Sequence, residues 1–179
     1  ANMQETYDKL AAYDMLFFRG GDQKEYYETY KGTKTQEAIE HVFNNGGVLA
    51  GTSAGMAMLS GVMFTAENGT VYPEECMNDP QNNYLTLADD FLQLFPGWVF
   101  DTHVAERGRL PRSLAFMANW YITREERINA LSLDDMTAMA IDSSMQATVY
   151  GTGAARIITQ TGATRFSTQN GPLAGKGIQ

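Results

Sequence analysis

Gly51-Thr52-Ser53-Ala54-Gly55 sets a serine between two glycines, after the β-like run Gly46 to Ala50 and before the apolar, helix-like stretch Met56 to Leu59. That is the pattern of a nucleophile elbow: a side chain at either glycine would collide with the neighbouring strand or helix, and the sharp turn pushes the serine hydroxyl out at the carboxyl edge of a sheet. There the free N–H groups of the helix start favour an oxyanion. A serine used in this way needs a base, and the chain has two histidines. His41 falls on a helix flank, whereas His103 ends Asp101-Thr102-His103, just past the strand that starts at Trp98. Open α/β sheets place ligands at that edge, so His103 is the candidate base for Ser53.

Two further groups of residues favour a polar, anionic substrate. Arg107, Arg109 and Arg112 follow His103 closely. Clustered cations repel unless an anion or water screens them, and guanidinium forks match carboxylates bidentately. The cluster therefore reads as a pocket for substrate carboxylates, although Arg112 by itself reads better as a surface residue paired with an acid such as Glu106. Arg19-Gly20-Gly21-Asp22-Gln23 follows the strand Met15 to Phe18. The N–H of Gly21 or Asp22, with that of Ala54, is placed to form an oxyanion hole, and Gln23 to touch substrate.

These side chains need a scaffold, and the pattern of the chain describes one. Residues 3–13 and Thr35 to Asn45 carry helical apolar spacing, the latter on Ala38, Ile39, Val42 and Phe43. Pro111 to Tyr121 is a helix that begins with proline. Met15 to Phe18, the run before the elbow, Trp98 to Phe100, Met139 to Ile141, Thr148 to Tyr150 and Ala155 to Thr159 read as strands. Residues 66–90 are polar and broken by Asn68-Gly69 and Asn78-Asp79-Pro80, which predicts an excursion or hairpin rather than core. The alternation implies an α/β sheet, mostly parallel, with antiparallel strands near the carboxyl end. One domain over residues 1–179 is expected, and because it opens on a crossover helix, an amino-terminal strand and loop are expected to be missing.

Composition narrows the function classes. The chain has 179 residues, 44% of them apolar, and a formal net charge of −8. It suits a folded domain with a core, has no apolar run long enough for a membrane helix, and argues against nucleic acid as a partner. One cysteine, Cys76, excludes an internal disulfide framework. The two histidines, the cysteine and the scattered acids lack metal-ligand spacing, so neither a metal nor another cofactor is expected. Location stays open, with the cytoplasm favoured over export.

Phe17-Phe18-Arg19-Gly20-Gly21-Asp22-Gln23, the serine pentapeptide, and Asp101-Thr102-His103 with Arg107-Gly108-Arg109-Leu110 together resemble peptidase family S51, and within it the cyanophycinases. The resemblance spans residues 15–155. It implies a flavodoxin-like, class I glutamine-amidotransferase-like fold, with helices on both faces of the sheet. It also implies a homodimeric serine exopeptidase that releases β-aspartyl-arginine dipeptides from cyanophycin. Ser53 would be the nucleophile and His103 its base, with Gln23, Asp101, Thr102, Arg107, Arg109 and Arg112 on the substrate. Glu67 is the choice by spacing for the third triad member, with Glu74 and Glu75 as rivals.

The chain departs from the family's pattern at Thr102, where glutamine is common, at Arg19, where a small residue is usual, and at Met56, where alanine is usual. Near Ile141-Asp142 the family continues with glutamate and then threonine-alanine. This chain has Ser143-Ser144-Met145-Gln146 there, so the loss of a substrate contact is expected. An aspartyl dipeptidase of the same family is the second enzyme reading, and a silent binding protein on the same scaffold is the reading outside enzymes.

Overall fold

The computed structural model describes residues 1–164. Their elements run α1 (Gln4–Ala11), β1 (Met15–Phe18), α2 (Gln23–Tyr30), α3 (Lys34–Asn44), β2 (Val48–Gly51), α4 (Ala54–Ala57), β3 (Met63–Phe64) and α5 (Pro73–Asn78). There follow β4 (Leu87–Ala88), β5 (Trp98–Thr102), α6 (Leu110–Arg124), β6 (Asn129–Leu133), β7 (Thr137–Ile141), β8 (Ala147–Gly151) and β9 (Ala155–Ile158). The elements read from the sequence are present within a few residues of their expected bounds. Helices α2 and α5 and strands β3, β4 and β6 are not among those read from the sequence.

The fold is α/β, but the sheets are short and mixed. β1 and β2 pair in parallel, with Phe18 opposite Gly51. β5 and β6 also pair in parallel, and β9 joins the other edge of β6 in the antiparallel sense. β3–β4 and β7–β8 are antiparallel pairs. The single, mostly parallel sheet expected from the sequence is therefore replaced by two parallel pairs among the described residues, because β2 and β5 share no ladder.

Alternation decides which face of each strand is covered. Leu16 and Phe18 of β1 are buried, in one cluster with Ile39 and Val42 of α3. Met15, Phe17 and Val48, on the other side of the pleat, stay more than half exposed. Helices on both faces were expected, and among the described residues the β1–β2 pair has them on one. A second cluster joins Val99 of β5, Ala130 of β6 and the inner side of α6, Ala115, Phe116 and Ala118. Phe64 and Phe116 stack there with ring centroids 4.9 Å apart.

The segment read as a polar excursion contributes to that core. Val71, Cys76 and Leu85 are 5% exposed or less, and α5 docks on α6. Polar residues dominate its composition, but the apolar few are spaced so that one side packs inward, and burying each large one is worth roughly 1.5–3 kcal/mol. No helix among the described residues is long and apolar enough to cross a membrane.

Candidate active site

The elbow has the backbone that its glycines allow. Ser53 sits at φ 53° and ψ −125°, a strained conformation for a residue with a side chain, between the end of β2 and the start of α4. A Cβ at Gly51 would stand 2.2 Å from the carbonyl oxygen of Gly55, and one at Gly55 would stand 2.2 Å from that of Phe18. Both positions exclude any other residue without backbone movement. Ala54 opens α4, and its N–H has no acceptor among the described residues.

His103 stands one residue beyond β5, also at positive φ. Its Nε2 lies 2.9 Å from Ser53 Oγ, and its Nδ1 bonds the Asp135 carboxylate. An ionised carboxylate only accepts, so Nδ1 carries the proton and Nε2 is left to accept from the serine hydroxyl. Serine, imidazole and carboxylate thus form one hydrogen-bonded line from β2, β5 and the turn after β6. Asp135 is the residue that sequence reasoning missed. Glu67 takes no part in this line: its carboxylate accepts from Thr65 Oγ1 at 2.9 Å, and its carbonyl oxygen accepts from Lys24 Nζ. Glu75 is occupied elsewhere as well, accepting from the backbone N–H of Tyr72.

The missed residue was visible in the chain. Leu133-Asp134-Asp135-Met136-Thr137-Ala138 carries an aspartate, a second acid and a threonine-alanine pair, the pattern that had been sought one strand later at Ile141-Asp142. The substitution of Ser143 to Gln146 is therefore the β7–β8 turn, in which Asp142 accepts from Ser144 and Gln146, and it removes nothing from the line.

On one side of Ser53 lies a cavity of about 510 Å³ lined by Gly21, Asp22, Gln23, Thr102, Arg107 and Arg109, among others. Arg107 is exposed and Arg109 half-buried. Arg109 Nη1 donates to the Thr102 carbonyl, and no carboxylate pairs with it among the described residues. Burial, with Arg112 nearby, lowers its pKa to about 10, which still leaves it cationic at neutral pH. Gln23 Nε2 donates to Phe64 O at 3.2 Å, and Asp22 caps α2 through Lys24 N.

Arg112 and Asp101 are placed differently from expectation. Arg112 is 3% exposed, forks onto the Asp101 carboxylate, and lies 5.3 Å over both Phe64 and Phe116. Asp101 also accepts from the N–H of Thr102 at 2.8 Å. Both residues line the cavity beside Ser53, but their charges are committed to each other, and Arg112 meets Asp101 rather than Glu106. The pair anchors α6 to the end of β5, and so fixes the strand that delivers His103. Among the described residues no group of three or more His, Cys, Asp or Glu could hold a metal ion.

A model of Peptidase family S51 matches residues 1–149, which include the serine, the histidine and Asp135. The chain belongs to that family. No curated protein matches this S51 chain, but solved structures do. A crystal structure of a peptidase from an acI-B1 Actinobacterium superposes with a TM-score of 0.61 at 15% identity, covering 89% of this chain and 64% of that one. A protein provisionally named Peptidase E from Listeria monocytogenes EGD-e gives 0.54 at 16% identity, over 85% of this chain and 66% of that one. The S51 chain thus spans about two thirds of the length of each structure and shares their α/β fold.

Proposed function

We propose that this protein is a serine peptidase acting on aspartyl peptides. The observation that carries the reading is the bonded line from Ser53 through His103 to Asp135, beside a cavity where Arg107 and Arg109 have no carboxylate partner among the described residues. In the proposed reaction Ser53 Oγ attacks the carbonyl carbon while His103 Nε2 takes its proton. Asp135 holds the imidazole in the correct tautomer and stabilises the imidazolium. The N–H of Ala54 and that of Gly21 or Asp22 stabilise the oxyanion. His103 then gives its proton to the leaving amine, and water, deprotonated by His103, hydrolyses the acyl-serine ester. Arg107 and Arg109 hold substrate carboxylates.

The finer reading, carried by the resemblance, is release of β-aspartyl-arginine dipeptides from cyanophycin. A second reading, cleavage of small aspartyl dipeptides, gains from Arg112, whose engagement with Asp101 leaves two arginines for substrate instead of three. It gains also from the likeness to the protein provisionally named Peptidase E. Incubating the protein with insoluble cyanophycin and with α-linked aspartyl dipeptides, beside Ser53→Ala, separates the two. Serine-dependent dipeptide release from the polymer supports the first, and cleavage of the α-linked peptides alone supports the second. If neither is cut by folded protein, the silent scaffold becomes the better account.

A further inference from the structure

Asp134 adjoins Asp135, yet the proposed reaction gives it no task. It is 8% exposed, and its two oxygens receive four donors. Oδ1 accepts from the Ala105 N–H at 2.9 Å and from Arg156 Nη1, and Oδ2 accepts from the Ala154 N–H at 3.0 Å and from Arg156 Nη2 at 3.1 Å. The donors come from the loop that carries His103 and from the β9 arm, and Asp134 itself closes β6. The β6–β9 ladder ends at Leu133 opposite Ala155, so the carboxylate continues the tie where the strand pairing stops.

We propose that Asp134 and Arg156 form a positioning clamp that holds the Asp135 carboxylate against His103. The inference rests on the reading of Ser53, His103 and Asp135 as a catalytic line, and it concerns how that line is kept in register. Asp135 is 43% exposed in its side chain, and among the described residues its carboxylate has one hydrogen-bond partner, His103. Its own bonds therefore do not fix it. Its position is inherited from the backbone, where Met136 beside it stands at φ 51° and His103 across from it at φ 57°. Strained residues of this kind persist only where their surroundings over-determine them. The clamp meets that need by joining Ala105, two residues after His103, to Asp134, the residue before Asp135. The Arg156 fork also holds the Asp134 carboxyl down to about 2, so the clamp stays ionised wherever the peptidase would work. Arg156 lies beyond the residues that the family model matches.

The test uses Arg156→Ala and Arg156→Lys in the full chain, with two readouts. One is the rate at which a fluorophosphonate acylates Ser53, which needs no knowledge of the substrate. The other is the low-field Nδ1 proton of His103 in 15N-histidine-labelled protein, simple to assign with two histidines in the chain. Loss of the fork is expected to broaden or remove that resonance in Arg156→Ala and to slow acylation roughly 10- to 100-fold, the scale of a misplacement near 1 Å. Arg156→Lys, which keeps the cation but not the fork, is expected to fall between.

A folded Arg156→Ala with the resonance in place and the rate unchanged overturns the clamp. If Arg156→Ala does not fold, an Arg156→Lys indistinguishable from the parent in both readouts overturns it too. The peptidase reading fails separately. A parent protein that is never labelled, with a resonance that Arg156→Ala removes, discards the catalytic line as an enzyme and keeps the clamp.

Discussion

At the scale of single residues, the acids around His103 divide by what they touch. Asp135 faces the imidazole, Asp134 faces Arg156, and Glu67 faces Thr65. Asp135→Asn keeps the shape but offers an amide where a carboxylate must accept, which favours the wrong imidazole tautomer. Acylation of Ser53 is expected to slow by about 10⁴-fold, the scale of that change in a serine–histidine–aspartate triad. Glu67→Gln is expected to leave the rate as it is, and rate constants for the two variants side by side check both. Ser53 and His103 were legible because each belongs to a short local pattern, glycines around a serine and a histidine at a strand's end. Asp135 lies in a pattern just as local, Leu133 to Ala138, but its place in the site is plain only once β6 is seen beside β5. Arg112 shows the opposite failing, since clustering with Arg107 and Arg109 in the chain says nothing of which guanidinium turns inward.

At the scale of elements, two packing decisions position the site. The first is the seating of α6 on β5 through Arg112 and Asp101. Arg112→Met removes one member of a buried pair and leaves Asp101 charged in an apolar setting. A loss of roughly 3–5 kcal/mol is expected, read from denaturant midpoints. Asp101→Leu made together with Arg112→Met is expected to recover part of it, since replacing both members by apolar groups is far less costly than removing one. The second is the docking of α5 on α6. Cys76 of α5 is fully buried, and burial pushes its thiol up to about 11. Ellman's reagent is therefore expected to find no reactive thiol in the native protein at pH 8 and to react as α5 detaches, so its rate reports the opening of this face. The sequence hid this element because its polar residues outnumber the few that pack. The hydrophobic pattern of α3 and the alternation of β1 were plain because each covers a whole face.

At the scale of the whole molecule, the acidic surface sets how the fold meets low pH. Among the described residues three carboxyls titrate below their ordinary range: Asp134 at about 2 through Arg156, Asp90 through its bond from Lys31, and Asp142 through its bond from Ser144. A depressed carboxyl contributes stability that is complete above its unfolded pKa of about 3.9 and is lost as pH falls through the folded value. Between those limits the unfolded chain binds more protons than the native one, so acid pulls the equilibrium toward unfolding. Thermal midpoints are therefore expected to be level in this respect from pH 7 to about pH 4.5, and to drop steeply between about pH 4 and pH 2. Asp134→Asn discriminates among the three. It removes the deepest of the depressed carboxyls, so its midpoint is expected to lie below the parent's at pH 7 and to converge on it near pH 2, where the parent's Asp134 takes up its own proton. A gap between the two proteins that stays constant over that range would mean that protonating Asp134 costs the fold nothing, and that charge does not drive the tie between β6, β9 and the loop of His103.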